Sequence, residues 1–151
     1  MNNDLQYLID QFLKILHLYS VINRKPKDYG TGDKLYLAEI HTITMVGKNR
    51  QINYTTLAEI MGVTRGAISQ TIRKLISKGL ISASPGKNRK EILLKLSEKG
   101  MIVYNAQQSF NAEIFAFAGA LYEKAGPSDV ELVKNLFNAI SSNMQQRVRE
   151  L

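Results

Sequence analysis

Hydrophobic residues recur at helical spacing near both ends of the chain. In residues 5–19 they fall at positions 5, 8, 9, 12, 16 and 19, which leaves one wide apolar stripe. A long helix is predicted over 98–123, after Ser97 as N-cap, with apolar residues at 103, 106, 110, 114, 117 and 121. Gly126-Pro127 separates it from a last helix. The apolar stripes of the first helix and of the last two helices together exceed what one small domain can cover. They therefore predict a surface that another chain buries.

Capping patterns mark the predicted starts of three further helices. Asp33 is a good N-cap for a helix that runs to about Val46. Thr56 and Glu59 form a capping-box pattern before a short helix, and Ser128 and Glu131 form another before the last helix. A polar loop over 23–32 and a small strand over 51–53 lie between these elements.

The middle of the chain predicts a helix–turn–helix. The short helix ends at Met61-Gly62, and Thr64 can cap a second helix over about 65–78. Gly79 suits the left-handed position that closes this helix. Its packed face is predicted to carry the apolar residues Ile68, Ile72, Leu75 and Ile76, and Val63 is predicted to fill the junction between the two helices.

A β-hairpin is predicted directly after these helices. The apolar runs 80–84 and 91–96 flank a turn over 85–90 that begins with Pro85-Gly86. Helices therefore dominate, with a small amount of sheet, and the predicted class is mainly α (α+β).

Positive charge is concentrated in this middle segment. The chain has 151 residues and a net charge of +7, from 20 Lys and Arg against 13 Asp and Glu. Residues 62–100 hold nine of the bases and two of the acids, Glu91 and Glu98, so this segment accounts for the whole excess. A solvated face is the ordinary explanation of a charge run. A chain that is neutral outside one basic segment is better explained by a surface that binds a polyanion such as nucleic acid.

The exposed face of the second helix has the residue types that read DNA. Gln pairs with adenine and Arg with guanine in the major groove, while Ser and Thr reach bases or phosphates. A small residue at the helix N-terminus lets it approach the base edges, and the free N–H groups there favour a phosphate. The alternative is that any surface helix is polar. The predicted DNA-contacting residues here are Thr64, Arg65, Gly66, Ser69, Gln70, Arg73 and Lys74.

The hairpin tip adds Lys87, Arg89 and Lys90, with only Glu91 nearby to neutralise them. A basic loop beside a recognition helix can enter the adjacent minor groove. A solubilising turn is the alternative interpretation.

These motifs resemble the MarR family (multiple antibiotic resistance regulators) of winged helix–turn–helix transcription factors. The resemblance rests on four segments, residues 56–64 (TLAEIMGVT), 68–75 (ISQTIRKL), 78–81 (KGLI) and 94–100 (LKLSEKG). One departure concerns the wing, where the family usually carries Asp-x-Arg and this chain has Asn88-Arg89-Lys90. Asn88 lacks the carboxylate that braces an arginine, and Lys90 lacks the bidentate fork.

The resemblance implies a single domain over 1–151 with two parts. Residues 1–22 and 98–151 form the dimerisation helices, and 33–96 form the winged helix–turn–helix. It further implies a homodimer on a pseudo-palindromic operator, with half-sites roughly 10 bp apart, and a repressor that a small-molecule effector relieves. Residues that could line an effector pocket are Phe12, Tyr36, Ile40, His41 and Phe110, although core packing accounts for them equally well.

Several function classes find no support in the sequence. There is no cysteine, which excludes disulfides, thiolate metal sites and cysteine nucleophiles. His17 and His41 alone make a weak metal site, so no metal or cofactor is expected. No catalytic motif is found, and the chain is not expected to be an enzyme. Neither a signal peptide nor an apolar run long enough to span a membrane is present, which predicts a cytoplasmic protein without a membrane partner.

Two rival functions remain open at this level. The basic face of a winged helix can dock an acidic protein instead of sequence-specific DNA, and the chain can be a small-molecule-binding protein without DNA activity.

Overall fold

Helices and strands follow one another in the predicted order, and the mainly helical class is confirmed. The computed structural model describes residues 3–86 and 91–150. Its helices are α1 (Asn3–Ile22), α2 (Leu37–Lys48), α3 (Tyr54–Met61), α4 (Arg65–Ser77), α5 (Glu98–Tyr122) and α6 (Pro127–Arg149). Its strands are β1 (Ile52–Asn53), β2 (Ile81–Pro85) and β3 (Ile92–Leu96).

The three strands form one antiparallel sheet in the order β1-β3-β2. Ile52 pairs with Leu94 on one side, and Ile81 pairs with Leu96 at the base of the β2–β3 hairpin. Successive side chains of a strand point to opposite faces. Leu94 is therefore buried while its neighbour Lys95 is exposed, and the sheet covers the core with one face only.

The core lies between the sheet and helices α2, α3 and α4, and α5 contributes Val103, with Tyr104 packed against the cluster. Burial of apolar side chains is the main stabilising contribution to such short helices, which are marginal in isolation. The buried apolar residues are Leu35, Ile40, Ile43, Val46, Ile52, Leu57, Ala58, Ile68, Ile72, Leu75, Leu80, Ile81, Leu94 and Val103.

The long terminal helices contribute little to this core. α1 buries none of its residues, and large apolar side chains stay exposed on α1, on the distal part of α5 and on α6. Among the described residues, no helix combines the length and the apolar character needed to cross a membrane. The described large apolar side chains that are more than 60% exposed are Tyr7, Ile15, Phe117, Leu121, Tyr122 and Leu132.

The predicted cap of α2 is wrong. The helix starts after Tyr36 rather than after Asp33, because Leu35 is held in an isolated antiparallel bridge with Lys27. The Glu39 carboxylate reaches back and accepts from the N–H of Tyr36 at 3.0 Å. Asp33 is used instead in an ion pair with α5.

The two predicted capping boxes at Thr56 and Ser128 are also wrong by a few residues. α3 is capped by Asn53, whose Oδ1 accepts from the backbone N–H of Thr56 at 2.8 Å. α6 begins with Pro127 at its first position, and Asp129 accepts from the N–H of Gly126 at 2.9 Å. Proline is favoured at this position because its missing N–H has no partner in the helix.

The start of α5 packs tightly against the short segment that connects α4 to β2. A Cβ at Gly100 would overlap the carbonyl oxygen of Leu80, so only glycine permits this approach. Ser97 caps α5 by accepting from the N–H of Gly100 at 3.0 Å, as predicted. The same hydroxyl donates to the carbonyl of Gly79 at 2.6 Å. Ser97 thus links α5 to the end of α4.

Candidate nucleic-acid interface

The turn between α3 and α4 is built from local backbone signals. Gly62 closes α3 in the left-handed conformation, with φ of 64°, a region that glycine enters without a steric penalty. Val63 donates its N–H to the carbonyl of Ala58 at 3.1 Å, although its side chain is exposed and does not fill the junction as predicted. Thr64 then caps α4 by accepting from the N–H of Ala67 at 3.2 Å, which confirms the predicted cap.

α4 separates apolar from polar side chains along its length. Ile68, Ile72 and Leu75 are buried, while Ile76 is partly exposed, contrary to the prediction. Ser69 is half-buried. The predicted DNA-contacting residues Thr64, Arg65, Gly66, Gln70, Arg73 and Lys74 are all exposed.

The N-terminal turn of α4 is open to a ligand. Among the described residues, a Cβ built at Gly66 would meet only the hydroxyl of Thr64, at 3.9 Å, so the helix backbone is accessible at this position. Val148 of α6 lines the cleft on the other side of Thr64 and Arg65. The free N–H groups and the dipole of a helix N-terminus attract anions such as phosphate. This end of α4 can therefore approach a nucleic-acid backbone closely.

The other end of α4 is anchored to the rest of the domain. Gly79 adopts φ of 70°, and Leu80 donates its N–H to the carbonyl of Leu75 at 2.9 Å, which completes the predicted Schellman ending. The ammonium of Lys78 lies 2.6 Å from the carboxylate of Glu39 in α2. α4 is thus fixed at its C-terminal end, while its polar face stays free.

Two of the nine bases in the basic segment are neutralised by acids outside it. Lys78 pairs with Glu39, and Lys99 lies 2.7 Å from Asp33. The hydrogen bond between Asp33 and Lys99 lowers the pKa of the Asp33 carboxyl below its usual value. The bases on α4 differ, because none of the ion pairs within the described ranges involves Arg65, Arg73 or Lys74. Unpaired cations on one face are what a polyanion requires.

The stem of the hairpin is held by contacts that sequence reasoning missed. Asn53 donates from Nδ2 to Oε1 of Glu91 at 2.7 Å, and Gly86 donates its N–H to the carbonyl of Glu91 at 2.8 Å. Only the preference of Asn for N-caps could have singled out Asn53. The predicted tip residues Lys87, Arg89 and Lys90 lie outside the described residues.

Comparison with known proteins agrees with this geometry. Residues 35–92 match the model of the MarR family. This part of the chain is therefore similar to MarR-family proteins. The matched segment runs from the β-bridge before α2 to the first residue of β3, so it contains the helix–turn–helix and most of the hairpin.

Two curated relatives are transcriptional regulators by name. The chain is 23% identical over 111 residues to the uncharacterized HTH-type transcriptional regulator YhjH of Bacillus subtilis, an alignment that covers 73% of this chain and 63% of that protein. It is 26% identical over 121 residues to the HTH-type transcriptional regulator PetP of Rhodobacter capsulatus, covering 80% and 68%. The chain therefore spans somewhat less than two thirds of YhjH.

The fold also matches solved structures. Streptococcus pneumoniae FabT in complex with DNA superposes with a TM-score of 0.64 at 19% identity, and the match covers 93% of this chain and 94% of FabT. The likeness extends beyond the MarR-matched segment to the terminal helices.

The five residues predicted to line an effector pocket lie in different surroundings. Ile40 belongs to the hydrophobic core, and Tyr36 is exposed at the start of α2. Phe12 lies in an apolar groove between α1 and α6. The ring of Phe110 is covered by the ammonium of Lys27, 4.3 Å from its centroid. The pocket stays a prediction.

His41, the fifth of these residues, connects α1 to α2. Its Nε2 is 3.0 Å from the hydroxyl of Tyr19, and the two rings stack at 22°. Partial burial lowers the pKa of His41 below its usual 6.5 and raises the pKa of Tyr19. Within residues 3–86 and 91–150, no cluster of three or more His, Asp or Glu side chains could hold a metal ion.

Proposed function

We propose that this chain is a homodimeric, sequence-specific DNA-binding transcriptional regulator that acts in the cytoplasm as a repressor. The observation that carries the proposal is the orientation of α4. Its apolar residues are buried in the core, and its polar, cationic face is exposed along the whole helix. A helix held in this way can enter the major groove. We assign the chain no enzymatic reaction and no cofactor.

Each predicted residue of α4 takes one of two roles in this proposal. Arg65, Ser69, Gln70 and Arg73 read base edges, since Arg and Gln can form bidentate hydrogen bonds with guanine and adenine. Thr64, Gly66 and Lys74 contribute to backbone contact, which positions a protein on DNA without specifying a sequence. Gly66 does so by leaving the helix N-terminus uncovered.

We further propose that the hairpin acts as the wing. Lys87, Arg89 and Lys90 would contact the adjacent minor groove, where basic side chains meet an enhanced negative potential. Because Asn88 stands where the family usually has Asp, the tip itself offers no carboxylate to orient the arginine.

The dimer is proposed from the apolar faces of α1, α5 and α6. Phe117 and Leu132 are 65% and 70% exposed in the single chain, and a groove between α1 and α6 is lined almost wholly by apolar side chains. Contiguous apolar surface of this kind marks a protein interface. The proposed parts are a dimerisation region of residues 1–22 and 98–151 and a DNA-binding lobe of residues 33–96, with half-sites roughly 10 bp apart.

Relief by a small-molecule effector is proposed as the means of regulation. A ligand among Phe12, Tyr36, Ile40, His41 and Phe110 would change the spacing of the two α4 helices, because these residues lie on or beside α1, α2 and α5. Its support is that His41 of α2 contacts Tyr19 of α1 and that Phe110 of α5 contacts Lys27 in the loop between α1 and α2.

Selection of bound sequences from a random duplex pool tests the proposal. We expect one enriched pseudo-palindromic sequence, and binding that weakens by about 10³–10⁵ between 50 and 200 mM salt if six to ten phosphates are contacted. No enrichment together with a flat salt response would contradict the proposal. Retention of an acidic protein without DNA enrichment would favour the protein-docking alternative. A ligand that raises Tm when no duplex does would favour the small-molecule-binding one.

A further inference from the structure

Asn53 uses both ends of its side-chain amide, and the two ends connect different elements. Oδ1 accepts from the N–H of Thr56 at 2.8 Å and caps α3. Nδ2 donates to Oε1 of Glu91 at 2.7 Å, beside the first residue of β3. This is the only amide orientation that satisfies both contacts, because a carboxylate accepts and a backbone N–H donates. One residue therefore joins the start of the helix–turn–helix to the stem of the hairpin.

Glu91 is also held in the stem of the hairpin. Its carbonyl accepts from the N–H of Gly86 and closes the end of the β2–β3 ladder. A Cβ at Gly86 would lie 3.1 Å from the Glu91 carboxylate and 3.3 Å from its Cβ, so glycine leaves the space in which this side chain lies. The hydrogen bond to Asn53 is charge-assisted, and such bonds are shorter and stronger than neutral ones.

The contact with Asn53 gives Glu91 a different role from the one that the sequence suggested. The sequence suggested an acid whose effect is to neutralise the basic tip, but its carboxylate is hydrogen-bonded to β1. The carboxylate also lies near the N-terminus of α3, where the helix dipole favours a negative charge. Glu91 therefore acts on the base of the hairpin and on α3 together.

We propose that Asn53 and Glu91 are positioning residues that fix the wing relative to the helix–turn–helix, so that wing and α4 engage DNA in one geometry. The proposal rests on the proposed function of the chain as a DNA-binding regulator. β1 is only two residues long and pairs with β3 alone. β1 therefore holds the hairpin through two register pairs, and the side-chain hydrogen bond from Asn53 to Glu91 adds a further connection across the same junction.

Three proteins of identical formal charge isolate this hydrogen bond. Asn53→Ser keeps a good N-cap acceptor for α3 but is too short to reach Glu91. The double variant Asn53→Asp, Glu91→Gln reverses the polarity of the bond, because the new amide donates to the new carboxylate. Wild type is the third. Any difference among them cannot come from net charge, which otherwise dominates affinity for DNA.

The first measurement is affinity for one selected duplex across a salt series. We expect N53S to bind about tenfold more weakly, the effect of losing one charge-assisted hydrogen bond. The salt slope should fall by about one for each phosphate that the wing no longer reaches. The reversed pair should restore affinity to within about threefold of wild type, because its new hydrogen bond replaces the one that N53S loses. Equal affinities and slopes in all three proteins would overturn the proposal.

A matched control separates positioning from general stability. Asn49→Ser removes another amide hydrogen bond of 2.7 Å, whose partner is the Met45 carbonyl of the same helix. We expect N49S to lower Tm at least as much as N53S while leaving DNA affinity unchanged. If N49S weakens DNA binding as much as N53S does, the Asn53–Glu91 contact has only a structural role.

A second measurement needs no DNA. The chain has no cysteine, so Glu59→Cys in α3 and Ala83→Cys in β2 give two unique positions per chain for spin labels, and mixing with an excess of unlabelled chain keeps the measured distance within one protomer of the proposed dimer. We expect a narrow distance distribution with wild-type Asn53, a broader one with N53S, and recovery with the reversed pair. An unchanged distribution would overturn the proposal whatever the affinities. Changed distances in a protein that binds no DNA would leave the positioning intact and contradict the proposed function instead.

Discussion

The ammonium of Lys78 lies 2.6 Å from Oε1 of Glu39, and this pair joins the C-cap of α4 to the first turn of α2. Oε2 of the same carboxylate accepts from the N–H of Tyr36, so Glu39 both starts α2 and holds α4. Lys78 also donates to the carbonyl of Lys34 at 3.1 Å. The end of α4, the start of α2 and the segment before α2 thus meet around the Lys78–Glu39 pair.

Replacement of Glu39 by Gln should lower the free energy of unfolding by about 1–3 kcal/mol, because it leaves the partly buried Lys78 ammonium without its counter-ion. Urea denaturation of the dimer measures the change. Glu59→Gln is the matched control, since Glu59 is exposed on α3, and its effect should stay within about 0.5 kcal/mol. Equal effects of the two variants would show that the Lys78–Glu39 pair adds no stability.

Gln70→Ala should relax sequence preference at one base position of the selected operator. The expected loss of discrimination there is about 1–3 kcal/mol, the contribution of one bidentate contact. Affinities for a set of single-base operator variants measure it. Lys74→Ala, one turn further along the exposed face, should instead weaken binding to all sequences and lower the salt slope by about one. If Q70A leaves every base preference intact, Gln70 is not a reading residue.

Leu136→Glu should convert the dimer into monomers. Leu136 is 52% exposed in the single chain and lines the groove between α1 and α6, so a carboxylate there would be desolvated in an interface. Sedimentation velocity measures the oligomeric state, and DNA affinity should fall by about a hundredfold when only one half-site can be engaged.

The control for this variant is Ile60→Glu. It places the same charge at a position of similar exposure, 47%, on α3 and outside the terminal helices. I60E should remain dimeric. A dimeric L136E would remove α6 from the proposed interface.

His41 should make stability depend on pH on the acidic side. Its pKa in the folded chain is lowered below 6.5 by burial, so the unfolded chain binds the proton more readily. The free energy of unfolding therefore falls as pH decreases through 6.5 towards the folded pKa, and it is unaffected well above 6.5. Urea denaturation between pH 5 and 8 should show this slope in wild type and less of it in His41→Gln.

His17→Gln serves as the comparison, because His17 lies on α1 outside the contact between Tyr19 and His41. It should retain the slope of wild type. If H41Q and wild type lose stability in parallel on acidification, another group is responsible.

Local signals in the sequence predicted α4 well, and their success has a physical reason. Thr64 caps the helix and Gly79 ends it through contacts within a few residues, so neighbouring sequence determines both. The cap of α3 was misplaced because Asn53 and Thr56 are both good N-caps. The pairing of β1 with β3, which depends on residues about 40 positions away, decides between them.

The distribution of charge was predicted only in part, for a related reason. Counting bases along the chain identified the cationic segment but not the acids that fold against it. Glu39 and Asp33 precede their partners Lys78 and Lys99 by 39 and 66 residues. No local pattern shows such pairs. The arginines and lysine on the free face of α4 were identified because helical periodicity alone separates them from the core.

The long helix α5 is attached directly to the proposed DNA-binding lobe of residues 33–96, so a tilt of the helix is transmitted to that lobe. Ser97 and Gly100 lock its first turn onto the end of α4, and its 25 residues extend about 37 Å from that point at 1.5 Å per residue. Over that length a tilt of about 5° displaces one end by roughly 3 Å, close to the 3.4 Å that separates successive base pairs. In the proposed dimer on DNA, a small change of angle where the two copies meet would therefore shift each α4 helix by about one base-pair step along the duplex.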